Sequence, residues 1–149
     1  MPTITGGAAL ERKLRELARQ MSRPATLRVG FLEHATYPNG TPVAMIAAIQ
    51  DYGAPNANIP PRPFFRNMVA AKSQEWPNAI ALNLRLNNNE VEPTMRIVAE
   101  AIAGQLRESI IKTNAPPLSP ITIARKGFAK PLIDTSHMIN SVDYEVRFG

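Results

Sequence analysis

The chain has 149 residues, of which 44% are hydrophobic and 19% charged, and it carries a net charge of +5. It contains no cysteine, which excludes a disulfide scaffold, thiol chemistry and cysteine-ligated metal sites. No run approaches the roughly 20 consecutive apolar residues of a membrane-spanning helix, so we expect a soluble protein without a membrane partner, folded as a single domain over residues 1–149.

The first predicted elements are a helix and a strand. Leucine and methionine recur at spacings of four, three and four from Leu10 to Met21, which predicts an amphipathic helix at 7–21. Pro24 disfavours the helical region for the residue before it and ends this helix. Apolar and polar residues then alternate through 26–32, the period that a half-buried strand requires.

A second helix is predicted at 43–52. Thr41 is a good N-cap and Pro42 suits the first helical position. The segment is apolar on more than one side, which is typical of a buried helix. The residues at 53–63 include four prolines, and we expect them to be extended.

Two further helices flank Pro77. Pro63 suits the first position of a helix that runs to Trp76, and Pro77 is expected to kink or break it. Helical structure is predicted to continue at 79–86, although its apolar spacing is less regular.

The second half of the chain predicts one long helix and one strand. Apolar residues recur every three or four positions through 90–113, and strict alternation predicts a strand at 142–148. Short helices are expected at 119–126 and up to Asn140. The predicted fold is therefore α+β, with a small antiparallel sheet that includes 26–32 and 142–148, packed with the long helix and the N-terminal amphipathic helix. These strands pair with each other or with strands that the sequence does not reveal.

The positive charge is concentrated in two segments. Residues 1–32 carry +4 and residues 115–131 carry +3. These segments predict a basic patch that contacts an anionic partner, either nucleic acid or an acidic protein surface. The N-terminal basic helix of 1–25 is expected to be either mobile or used in assembly. The patch comprises Arg12, Lys13, Arg15, Arg19, Arg125, Lys126 and Lys130. The alternative is an ordinary solvated helix face and loop.

The sequence contains no set of residues typical of catalysis. There is no glycine-rich phosphate loop followed by lysine. The two histidines, His34 and His137, lack metal-ligand spacing. Asp134 is better explained as a helix cap than as part of a triad with Ser136 and His137. We therefore expect neither enzymatic activity nor a metal or other cofactor.

Three segments, in this order, carry a resemblance. The first is 29–44, with its Tyr-Pro-Asn-Gly-Thr-Pro turn, which runs into Ile-Gln-Asp-Tyr-Gly-Ala-Pro at 49–55. The second is Ile-Pro-Pro-Arg-Pro-Phe-Phe-Arg at 59–66, and the third is 116–127 with Lys-Pro-Leu-Ile-Asp-Thr at 130–135 and Asn-Ser-Val at 140–142. Together they resemble the neck or tail-completion proteins of long-tailed bacteriophages, also described as minor tail or virion-morphogenesis proteins. Ser136 stands where that family usually has glycine.

The resemblance implies a virion structural protein of the head–tail junction, assembled in the host cytoplasm. Such a protein forms a ring of identical subunits, a hexamer or dodecamer, around the DNA channel. Its expected partners are other copies of itself, a portal-side connector or stopper protein, the tail tube or terminator protein, and packaged DNA through non-specific contact. Two alternatives remain: a tail terminator that caps the tail tube, and a small basic nucleic-acid-binding module.

A ring presents two different contact patches on each subunit. Because aromatic residues and arginine are enriched at interfaces, the predicted subunit or partner contacts are Tyr37, Arg62, Phe64, Phe65 and Arg66. Phe64 and Phe65 could equally belong to the core of the domain. Arg62 and Arg66 could instead pair with nearby acids as surface salt bridges, which contribute little.

Overall fold

In a computed structural model, the structure describes residues 6–22, 24–113 and 136–149. Its helices and strands follow one another in chain order as α1 (Gly7–Ser22), β1 (Ala25–Phe31), α2 (Val43–Tyr52), α3 (Phe64–Lys72), α4 (Trp76–Leu86), α5 (Val91–Thr113) and β2 (Val142–Phe148). Residues 136–140 are also helical. The predicted helix at 119–126 lies outside the described residues.

The two strands pair with each other. β1 and β2 run antiparallel, with Ala25 opposite Phe148 and Phe31 opposite Val142. Within the described ranges they form a sheet of two strands. The α+β class is thereby confirmed, and both strands lie within one residue of their predicted bounds.

The core lies between α5, α3, the sheet and the start of α2. The buried side of α5 contributes Val98, Ala99, Ile102, Ala103, Leu106 and Ile110, each at most 7% exposed. Phe64 and Met68 of α3 and Val43 of α2 pack against it, with Met138 and Val142 from the end of the chain. The apolar period predicted for the long helix therefore identifies its buried side.

The break between α3 and α4 precedes Pro77. A single 3₁₀ turn at Ser73–Glu75 separates the two helices, and Pro77 lies in the first turn of α4. Proline is tolerated there because the first N–H groups of a helix have no intrahelical acceptor. The indole N–H of Trp76 donates to Gln105 Oε1 at 2.9 Å and ties α4 to α5.

Two details of α2 differ from expectation. Pro42, rather than Thr41, occupies the N-cap position, with φ −62° and ψ 130°, and no side chain caps the helix. The prediction that α2 is buried most of the way round was wrong, because only Val43, Ala47 and Asp51 are buried and Met45 is 50% exposed. Because α2 contains several small apolar residues, its sequence predicts more burial than the structure shows.

The proline-rich segment is folded more tightly than an extended chain. Pro55–Ala57 form a 3₁₀ turn, and Asn58 follows in the left-handed region. Ala54 and Ile59 then form an antiparallel bridge. Pro63 takes the N-cap position of α3 instead of its first helical position.

The N-terminal helix forms as predicted, but its leucines do not enter the core. Leu10 is 61% exposed and Leu14 is 56% exposed. Among the described residues α1 makes no extensive contact with the sheet or the long helix, and Leu17 alone of its leucines is half-buried.

Candidate interaction surfaces

A buried carboxylate at the end of α2 organises the start of α3. Asp51 is 4% exposed. Its Oδ1 accepts hydrogen bonds from the backbone N–H groups of Phe65 (3.0 Å) and Arg66 (3.3 Å). Because Pro63 cannot cap the helix with its side chain, Asp51 supplies that cap from another element.

The same aspartate fixes the side chain of Arg66. The Arg66 Nε–H donates to Asp51 Oδ2 at 2.7 Å, and Nη2 donates to the Asp51 carbonyl at 2.6 Å. The guanidinium lies 4.5 Å from the centre of the Tyr52 ring, a cation–π arrangement. Tyr52 is 66% exposed and the Arg66 side chain 48%, so this pair presents an ordered aromatic and cationic patch to solvent.

A close backbone approach holds the proline-rich segment against α2. Gly53 has φ +77°, and a Cβ at this position would lie 2.8 Å from Pro61 N and 2.9 Å from Ile59 O. The Arg62 N–H donates to the Gln50 carbonyl at 2.7 Å. The segment from Ile59 to Arg66 is therefore held at both ends by residues of α2 or the glycine that follows it. We call this assembly the α2–α3 junction.

The predicted contact residues Phe64, Phe65 and Arg62 differ in their burial. Phe64 is 1% exposed and meets Phe31 edge to face at 6.4 Å, so it is a core residue, and its prediction as a surface contact is corrected. Phe65 is half-buried and its ring lies beside Gly30, where an added Cβ would be 3.7 Å from the ring, an ordinary van der Waals contact. Arg62 is also half-buried at the junction.

Tyr37 lies in a second cluster, remote in sequence from its partner. Its ring packs on His137 at 4.7 Å between ring centres, tilted by 31°. The His137 Nε2 is 2.9 Å from the Thr36 carbonyl oxygen. These contacts connect the turn before α2 to the helical residues 136–140, so Tyr37 and His137 hold the fold together at this point.

The basic residues of α1 form one exposed surface. Arg12, Lys13, Arg15 and Arg19 are all exposed, and Arg15 pairs with Glu11 at 2.9 Å on the same helix. Arg125, Lys126 and Lys130, the other predicted members of the basic patch, lie outside the described residues. The structure therefore places four of the seven residues of the predicted patch on a helix with exposed leucines.

The described part of the chain also has an open groove of about 230 Å³ between α3 and α5. Its walls combine Lys72, Glu108 and Lys112 with the hydroxyl of Ser109, which donates to the Phe64 carbonyl at 2.6 Å. Within the described ranges no three acidic or histidine side chains cluster as metal ligands, and no helix is long and apolar enough to cross a bilayer.

A scan against protein-family models, a search of curated proteins and a search of solved structures each return no match.

Sequence reasoning missed Asp51 and Tyr52 as individual site residues. Both lie in the quoted segment at 49–55, but their partner Arg66 is in a separate segment and only the folded chain brings them together. One signal was available: a helix that begins after Pro63 without a Ser, Thr, Asp or Asn cap needs an acceptor from elsewhere.

Proposed function

We propose that this chain is a virion structural protein of the head–tail junction. In this proposal, identical subunits form a ring that joins the portal-side connector to the tail tube around the DNA channel. The proposal is carried by the ordered resemblance of the three sequence segments to phage neck or tail-completion proteins.

The α2–α3 junction supports this proposal. Two of the resembling segments meet there, because Asp51 and Gly53 come from the first, and Pro61 and Arg66 from the second. Residues of both segments thus fix a loop and a helix start in place. A rigid, proline-rich surface with exposed Tyr52 and Arg66 suits a permanent protein contact, since ordered aromatic and arginine anchors dominate interface energies.

The proposal is tested by removing the protein from the phage that encodes it. We expect DNA-filled heads and separate tails that fail to join, with joining restored by the wild-type chain added in trans. Normal yields of joined, infectious particles without the protein would contradict the proposal.

Two alternatives predict different results. A tail terminator caps the growing tube, so its loss would leave tails of irregular length. A nucleic-acid-binding module is favoured by the exposed basic surface of α1, and it predicts a monomer that binds duplex DNA tightly with a steep salt dependence. Light scattering combined with a DNA titration separates this module from the ring.

A further inference from the structure

Two helix faces of the described chain expose apolar side chains to solvent. On α1, Leu10 and Leu14 are exposed and Leu17 is half-buried, and the three lie on one stripe, which we call the α1 stripe. On α5, the side opposite the core exposes Ile97 (46%) and Ile111 (59%). Among the described residues, the exposed leucines of α1 and the exposed isoleucines of α5 are left largely uncovered.

The exposed side of α5 has the spacing of a helix-pairing seam. Its residues recur at intervals of four, three, four and three, which keeps them on one stripe. This α5 outer face comprises Ile97, Ala101, Gly104, Glu108 and Ile111, all of them exposed. Ala101 and Gly104 on this face have small side chains, and a Cβ at Gly104 would meet no atom within 4 Å. A second helix can therefore approach closely at the centre.

The charges around the two faces are complementary. α1 carries four bases and two acids. Along the α5 outer face, Glu100 and Glu108 take part in no ion pair among the described residues. The neighbouring arginines face elsewhere: Arg96 pairs with Glu92 at 2.9 Å, and Arg107 donates to the Val142 carbonyl at 3.1 Å. The predominantly basic helix thus complements a face that carries Glu100 and Glu108, of which Glu108 also lies beside Lys112 in the groove between α3 and α5.

We propose that α1 of one copy of this chain docks along the α5 outer face of a neighbouring copy. The two faces are different, so the contact is head-to-tail and each subunit uses both. The inference rests on the proposed function, because the contact between α1 and the α5 outer face joins neighbouring subunits of the proposed ring. Docked α1 buries its leucines against Ile97 and Ile111, over the depression at Ala101 and Gly104.

The α1 helix of the same chain cannot provide this contact. Only Arg23 and Pro24 separate α1 from β1, so the two elements are joined by at most about 11 Å of chain. β1 packs against the buried side of α5. A helix packed on the α5 outer face would lie about two packing layers from β1, a distance on the order of 20 Å. An α1 helix docked on the α5 outer face therefore belongs to another copy of the chain.

Mixing two defective variants of the full-length protein tests the proposal. L10E/L14E removes the α1 stripe, and G104R blocks the α5 outer face where the monomer has free space. In sedimentation experiments over a range of concentrations, we expect wild type to form oligomers, each variant alone to be monomeric, and the mixture to form a 1:1 dimer and nothing larger. L82E/L86E on α4, where Leu82 is 57% and Leu86 71% exposed, is the matched control and keeps wild-type association.

A charge exchange gives a second test that does not alter the apolar residues. K13E/R15E and E100K/E108K should each weaken association at least tenfold, and mixing them should restore it to within about threefold of wild type, since the exchanged charges attract again. Circular dichroism checks that every variant folds.

Three results would overturn the inference: a wild-type protein that is monomeric at all concentrations, a variant mixture that forms no dimer, or an α4 control that is equally impaired. Duplex DNA bound by the monomer and lost in K13E/R15E would assign the α1 surface to DNA instead. The position of the protein in the particle is measured separately, so a ring held by other surfaces would leave the proposed function standing.

Discussion

The carboxylate of Asp51 caps a helix that belongs to another part of the chain. It accepts two backbone N–H groups of α3 and the Nε–H of Arg66 while only 4% exposed. A buried charge is tolerated when it is paired and hydrogen-bonded. Removing it is costly because its hydrogen-bonding partners are left unsatisfied. The strength of the α2–α3 junction therefore depends more on Asp51 than on Arg66, which is half exposed.

Asp51→Ala is expected to lower the free energy of unfolding by about 3 kcal/mol, because two helix N–H groups and the guanidinium lose their acceptor. Arg66→Ala should cost about 1 kcal/mol, since the two backbone hydrogen bonds to Asp51 remain. Urea denaturation measures both. Asp143→Ala, which removes an exposed aspartate, serves as the control, and a larger loss for Arg66→Ala than for Asp51→Ala would contradict this role.

Gly53 and Gly40 form a matched pair for separating backbone strain from steric clash. Both have positive φ, but only Gly53 has backbone atoms within 3 Å of an added Cβ. Gly40→Ala should cost about 1 kcal/mol from the left-handed conformation alone. Gly53→Ala should cost at least about 2 kcal/mol more, because Pro61 must also move. Equal losses in thermal or urea unfolding would show that the close approach to Pro61 is unimportant.

Among the secondary-structure elements, those with a regular apolar period were predicted best from the sequence. Alternation located both strands, and the spacing through α5 identified four of its core residues. The tertiary contacts decided the rest. No local pattern could show that a carboxylate from α2 would cap α3, or that the helix break would occur at Ser73–Glu75 before Pro77.

The amphipathic pattern of α1 illustrates a different limit. Its leucine spacing predicts an apolar face, but it does not specify whether that face packs within the same molecule or against another. In the same way, the aromatic pair at 64–65 divides between the core and the partly exposed junction. Thus composition indicated candidate contacts, and burial in the fold decided which of them remain available.

The exposed side of α5 offers a prediction about helix propensity. Gly104→Ala should stabilise the monomer by about 1 kcal/mol, because glycine is a poor helix former and the added methyl has free space. Ala101→Gly on the same face should cost a similar amount. Urea unfolding at low protein concentration measures both changes, and a loss of stability in Gly104→Ala would show that this face is already covered in the monomer.

For the whole molecule, the distribution of charge matters more than its net value. Replacing Arg12, Lys13, Arg15 and Arg19 by glutamine should leave the fold intact, because these side chains lie on the exposed surface of α1. We expect the melting temperature to change by less than about 2 °C and assembly into particles, or contact with DNA, to weaken. Wild-type yields of infectious particles from this variant would contradict a role for the basic surface.

The position of the protein in the intact particle is the most direct test of its assignment to the neck. The proposed function predicts that electron cryomicroscopy of phage particles containing this chain will reveal the α+β fold repeated around the DNA channel, between the portal-side connector and the tail tube. Density for this chain elsewhere in the particle, or its absence from purified infectious particles, would contradict the account.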